Sequence, residues 1–104
     1  MANPKIEGLK KIIQIDPTDE VAYFGLGKAL MDEGQFADAA GYLEQCVKVK
    51  PTYSAAYLAL VESLLKIGEK DKAKQFAQEG HAVSVKNGDM QVTKKIEAIQ
   101  ATLN

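Results

Sequence analysis

The stretch Tyr23-Phe24-Gly25-Leu26-Gly27-Lys28-Ala29-Leu30 returns 34 residues later as Tyr57-Leu58-Ala59-Leu60-Val61-Glu62-Ser63-Leu64. Tyr, Leu and Leu stand at the first, fourth and eighth places of both copies. Working outward, the same offset relates Pro17 to Pro51, Gly34 to Gly68, Ala39 to Ala73, Tyr42 to Phe76 and Val49 to Val83. A fixed period of this length is the mark of stacked helical hairpins, in which each unit buries its apolar face only against its neighbours. Arrays of this kind commonly hold other molecules rather than carry out chemistry.

Between these landmarks the apolar residues fall at helical spacing. Asn3-Pro4 is a good start, with an N-cap side chain and a proline in the first turn. Ile6, Leu9 and Ile13 follow, Ile12 widens the stripe, and Asp16-Pro17 ends the segment. The first helix is therefore predicted over 4–15. Thr18 can cap a second helix, with Asp19 and Glu20 in its first turn and Gly34 just beyond its end. The third is predicted from Phe36 to Val49, stopped by Pro51. The fourth opens at Thr52 or Ser54 and stops near Gly68. The fifth runs from Lys70 to about Lys86, and Asn87-Gly88 breaks the chain again. Asp89 then caps a last helix whose stripe is Val92, Ile96, Ile99 and Leu103. No segment alternates with period two, so no sheet is expected. Connections of two to four residues make neighbours antiparallel.

Composition narrows the function. The chain has 104 residues, 46% of them hydrophobic and 26% charged, with a net charge of −1. That is ordinary globular composition with no field to attract nucleic acid or an anionic membrane surface. All 13 basic residues are lysine. Arginine, the residue suited to bidentate phosphate and guanine contacts, is missing. Four lysines between Lys66 and Lys74 are interleaved with Glu69 and Asp71, which reads as a solvated face. No apolar run approaches the ~20 residues that span a bilayer. The single cysteine, Cys46, excludes a disulfide within the chain and suits a reducing compartment. A cytoplasmic protein without nucleic-acid or membrane partners is the expectation.

The period and its residues resemble the tetratricopeptide repeat family. Residues 20–53 match closely: Tyr23, Leu26-Gly27, Leu30, Gly34, Phe36, Ala39, Cys46 and Pro51 follow the family's aromatic, Leu-Gly, Tyr, Ala, Phe, small, Pro order, with Leu30 in place of its second large aromatic. Residues 54–87 match less well, because Val61, Ala77 and Val85 replace a glycine, a bulky residue and the proline. The resemblance implies an all-α fold in one domain over 1–104. Antiparallel helical hairpins would stack as a short right-handed solenoid of six helices. These comprise a half repeat over 4–17, two full repeats, and a capping helix over 89–103. Gly27, Ala39, Cys46, Ala73 and Gly80 are expected where helices approach closely.

In that family the first helix of each repeat lines a concave groove that takes a peptide or helix of another protein. Carried over, the groove residues are Val21, Phe24, Lys28, Met31 and Asp32, then Ala55, Leu58, Ala59, Glu62, Leu65 and Lys66. Phe24, Met31, Leu58 and Leu65 would make an apolar strip flanked by Lys28, Asp32, Glu62 and Lys66. Phe24 and Ala59 occupy positions where some relatives clamp a carboxylate, so recognition of that type is not expected. The protein thus reads as an adaptor or scaffold. The alternative is a structural homo-oligomerisation module. Ile6, Leu9, Ile12 and Ile13 form a stripe too wide for one neighbouring helix, and a homodimer would cover this edge.

Chemistry is not expected. Cys46 and His81 are the one pair worth weighing as nucleophile and base. Cys46, however, falls at a small packing position, where a thiol acts as a compact hydrophobe. One His and one Cys do not supply a zinc site, and Gly25-Leu26-Gly27 lies inside a helix rather than in a phosphate loop. No cofactor and no metal are expected.

Overall fold

The computed structural model describes residues 3–103. It contains α1 (Pro4–Ile15), α2 (Glu20–Asp32), α3 (Phe36–Val49), α4 (Ser54–Lys66), α5 (Lys70–Asn87) and α6 (Met90–Leu103). There is no strand among the described residues. The helices form antiparallel pairs, α2 with α3 and α4 with α5. α3 also packs on α4, α1 on α2, and α6 on α5. α2, α4 and α6 lie side by side as one layer. The radius of gyration is 13.3 Å, close to the ~13 Å that size scaling gives a compact chain of this length. An array this short does not extend beyond the dimensions of a globule.

Local chemistry accounts for the helix ends. Asn3 caps α1, its Oδ1 accepting from the Lys5 amide at 3.0 Å, with Pro4 in the first turn. Asp19, not Thr18, caps α2: its Oδ1 accepts from the Ala22 amide at 3.0 Å. The Thr18 hydroxyl and amide instead both donate to Asp16 Oδ1 in the turn. Those two bonds favour the carboxylate and hold the Asp16 carboxyl below its ordinary pKa. At α4 the N-cap is Tyr53, which makes no side-chain capping bond. The Ser54 hydroxyl donates across to Asp89 Oδ2 at 2.9 Å, tying the start of α4 to the start of α6. Gly34 and Gly68 end α2 and α4 with φ of 76° and 79°, a conformation that only glycine adopts without cost.

The core is a continuous seam. Leu26, Leu43, Leu60 and Ile96 are fully buried, as are Ala39, Cys46, Ala73 and Ala77. The small residues stand where helices touch. A Cβ on Gly27 would lie 2.5 Å from the Leu43 side chain. Tyr57 fills a wider gap and donates its hydroxyl to the Pro51 carbonyl at 2.9 Å.

The second repeat departs from the first at its end. α3 has 14 residues and stops before Pro51, whereas α5 has 18 and runs through Val85, the counterpart of that proline, to Asn87. Gly88, at φ 72°, then ends it. Ser54 starts α4 one period after Glu20 starts α2, but Met90 lies two residues past the next period. The last helix is therefore out of register with the repeat. It is held by Ile96 and by polar contacts: Ser84 Oγ to Thr93 Oγ1 at 2.7 Å, and His81 Nε2 to Glu97 Oε2 at 2.8 Å.

Candidate functional site

The outward faces of α2 and α4 carry the residues singled out in the sequence. Val21, Lys28, Asp32, Glu62 and Lys66 are exposed. Phe24, Met31, Leu58 and Leu65 are half-buried, each packed against the core on one side and open on the other. Ala55 is half-buried beside them. The spacing on each helix puts Phe24 one turn from Lys28 and two from Met31, and Leu58 one turn from Glu62 and two from Leu65. Each helix thus carries a half-buried apolar pair beside exposed charged residues.

Ala59 departs from the expectation. It is only 2% exposed and belongs to the core. Gly25 stands one period earlier, and a Cβ there would meet Leu9 of the preceding helix at 3.4 Å. The same side of α4 is turned toward the preceding helical pair, so Ala59 packs inward. Lys66 also has a partner, its ammonium lying 5.7 Å from the centre of the Phe36 ring.

Tyr53 is the contact that sequence reasoning missed. It comes from the turn before α4, and its ring stacks on Phe24 with centroids 4.9 Å apart and planes 29° from parallel. Its only signal was an aromatic residue in a turn, at Pro51-Thr52-Tyr53. Burial, then the nearby Cys46 and Glu20, raise its hydroxyl pKa. Beside it opens a cleft of about 220 Å³ lined by Lys50, Thr52, Tyr53, Ser54, Ala55 and Asp89.

The edge formed by α1 is narrower than the sequence suggested. Ile6 is only 7% exposed and sits in the core, and Leu9 and Ile13 pack against it. α1 packs on α2, which buries Ile6 and leaves Leu9 and Ile13 half-buried. Ile12 remains 43% exposed, and Ile15, at the end of the helix, 86%.

Cys46 is buried, its thiol donating to the Glu20 carbonyl at 3.4 Å. Burial, reinforced by the Glu20 charge and partly offset by Lys50, pushes its pKa up to about 11. A nucleophilic cysteine needs the opposite shift. His81 Nε2 is engaged with Glu97 Oε2 at 2.8 Å. Among the described residues no three His, Cys, Asp or Glu side chains cluster as a metal site. No described helix is long and apolar enough to cross a membrane.

The family profile described as tetratricopeptide repeat matches residues 30–87. The TPR repeat-containing protein PA0015 of Pseudomonas aeruginosa is 34% identical over 88% of this chain and 87% of its own length. The chain belongs to the tetratricopeptide repeat family. This tetratricopeptide repeat chain is also similar to the solution structure of protein BPP2914 from Bordetella parapertussis. That likeness has a TM-score of 0.79 and 28% identity, over 99% of this chain and 89% of that one. The type III secretion translocator chaperone SycD of Yersinia enterocolitica shares the fold, with a TM-score of 0.87 and 14% identity over 94% of this chain and 68% of its own. The tetratricopeptide fold is one of protein-interaction modules rather than of enzymes.

Proposed function

We propose that this protein is an adaptor that holds a peptide or helix of another protein against the faces of α2 and α4. The observation that carries the reading is the half-buried row Phe24, Met31, Leu58 and Leu65. Each is seated firmly enough to be preorganised and open enough to be covered by a partner. Phe24 and Leu58 are the anchors, and Lys28, Asp32 and Glu62 set register by charge around them. Met31 adds an adaptable surface. SycD, of the same fold, is a chaperone of secretion translocators, which supports a protein ligand here. A cytoplasmic setting fits a chain with one buried thiol.

The test is affinity capture from native lysate with wild type beside a Phe24→Ala/Leu58→Ala variant whose fold is verified by circular dichroism. A partner held by wild type and lost by the variant supports the groove. Equal capture by both moves the site elsewhere.

A second reading, homo-oligomerisation through α1, draws on the exposure of Ile12 and Ile15. Sedimentation equilibrium decides it: mass that rises with concentration and falls back in Ile12→Lys/Ile15→Lys supports it, and a monomer at all concentrations removes it.

A further inference from the structure

The cleft beside Tyr53 differs in chemistry from the apolar strip it adjoins. It is lined by Lys50, Thr52, Tyr53, Ser54, Ala55 and Asp89, an aromatic residue and a carboxylate among small and polar ones. Lys50 is not a free cation there, because its ammonium lies 3.8 Å from Glu20 Oε1. Among the described residues Asp89 has no lysine partner: its Oδ2 accepts from the Ser54 hydroxyl at 2.9 Å, and its Oδ1 accepts weakly from the Val92 amide at 3.5 Å. The lining carries one charge of each sign, Lys50 and Asp89; Glu20, outside the lining, pairs with Lys50, so among the described residues Asp89 is the lining charge without an oppositely charged partner.

We infer that this cleft receives a lysine or arginine side chain of the partner peptide, with the cation between the Asp89 carboxylate and the Tyr53 ring. The inference rests on the groove reading and refines it. Three features converge on a basic side chain. A carboxylate at the cleft attracts a cation and repels an acidic residue. An aromatic ring attracts a cation to its face, and Phe24 braces Tyr53 by stacking on it. The volume of about 220 Å³ admits one long side chain rather than a helix. The apolar stem of a lysine or arginine would lie along Ala55 while its head reaches Asp89. The partner is therefore a peptide that pairs apolar residues for Phe24 and Leu58 with a basic residue on the α6 side.

The probe is a phage-displayed library of random dodecapeptides selected on three full-length proteins: wild type, Asp89→Asn and Tyr53→Leu. Asparagine keeps a side-chain cap for α6 and leucine keeps apolar bulk against Phe24, and thermal melts verify both folds. The expected result on wild type is enrichment of apolar residues together with a lysine or arginine at a fixed spacing. On either variant the basic preference disappears while the apolar preference stays. A synthetic wild-type-selected peptide should bind Asp89→Asn about fivefold more weakly, with a smaller loss on adding salt than wild type shows. Apolar peptides selected without a basic residue, or a basic preference unchanged in Asp89→Asn, overturn this inference and leave the groove standing. Failure of wild type to enrich any peptide overturns the groove reading and this one with it.

Discussion

Gly80 and Tyr57 approach so closely that a Cβ on the glycine would stand 2.5 Å from the Cβ of the tyrosine, and 3.1 Å from Ile96 Cδ1. The tyrosine atom sits next to its own backbone and does not move by a change of rotamer. Gly80→Ala must therefore push α5 away from α4, with an expected loss of about 1–3 kcal/mol through overpacking. Gly41→Ala is the control. Nothing lies within 4 Å of a Cβ at that helical position, so alanine should stabilise by about 0.5–1 kcal/mol through helix propensity. Urea denaturation of both variants reads the opposite signs directly.

Val85→Pro restores the repeat's closing proline at a place where the helix has outgrown it. The ring removes an amide from α5 and clashes with the preceding turn, which costs about 3 kcal/mol in a helix interior. It also drives Ser84 out of helical conformation, and with it the 2.7 Å bond to Thr93 that holds α6. Hydrogen exchange should show α6 losing protection before α2 and α3. Equal loss along the whole chain would mean that the last helix is not separately anchored.

The Cys46 thiol ties stability to alkaline pH. Its folded pKa, about 11, lies above the ordinary 9.0, so the native state keeps the proton that the unfolded chain gives up. The stabilisation is fully present below pH 9 and is lost as pH rises through 11. Denaturation midpoints should fall over that window. Cys46→Ala should make the slope shallower but not flat, because the raised hydroxyls of Tyr53 and Tyr57 act in the same direction. An unchanged slope would disprove the assignment to Cys46.

Phe24→Ala/Leu58→Ala should remain folded. Both side chains are half-buried, so each truncation should cost less than the roughly 3–5 kcal/mol of a fully enclosed large residue. A cooperative thermal transition at lowered midpoint is the expected outcome. Loss of the transition would place these residues in the core proper.

The helices were legible because each is bounded by residues with a local mechanism: Asn3-Pro4 at one end, Gly34, Pro51, Gly68 and Asn87-Gly88 at the others. The close contacts at Gly27 and Gly80 were legible too, since the repeat marks them as small. The cap at Asp19 was misread as Thr18 because the two are neighbours and both can accept a bond; the turn geometry at Asp16 takes Thr18 for itself. Ala59 and Ile6 were misread for a different reason. A helical stripe tells which side is apolar, but whether an edge residue is covered depends on the neighbour that lies across it.

By itself the sequence determined the period, the number and direction of the helices, and, through the repeat, the small residues Gly27 and Gly80 at helix contacts. These follow from spacing and from the intrinsic preferences of glycine, proline and capping side chains, which act within a few residues. Only the tertiary structure decided that Tyr53 reaches Phe24, that Ser54 reaches Asp89, and that α6 sits two residues out of register. Those relations join atoms from separate helices, and they are set by how far α5 runs before Gly88 and by the side chains that happen to face one another once the layers have closed.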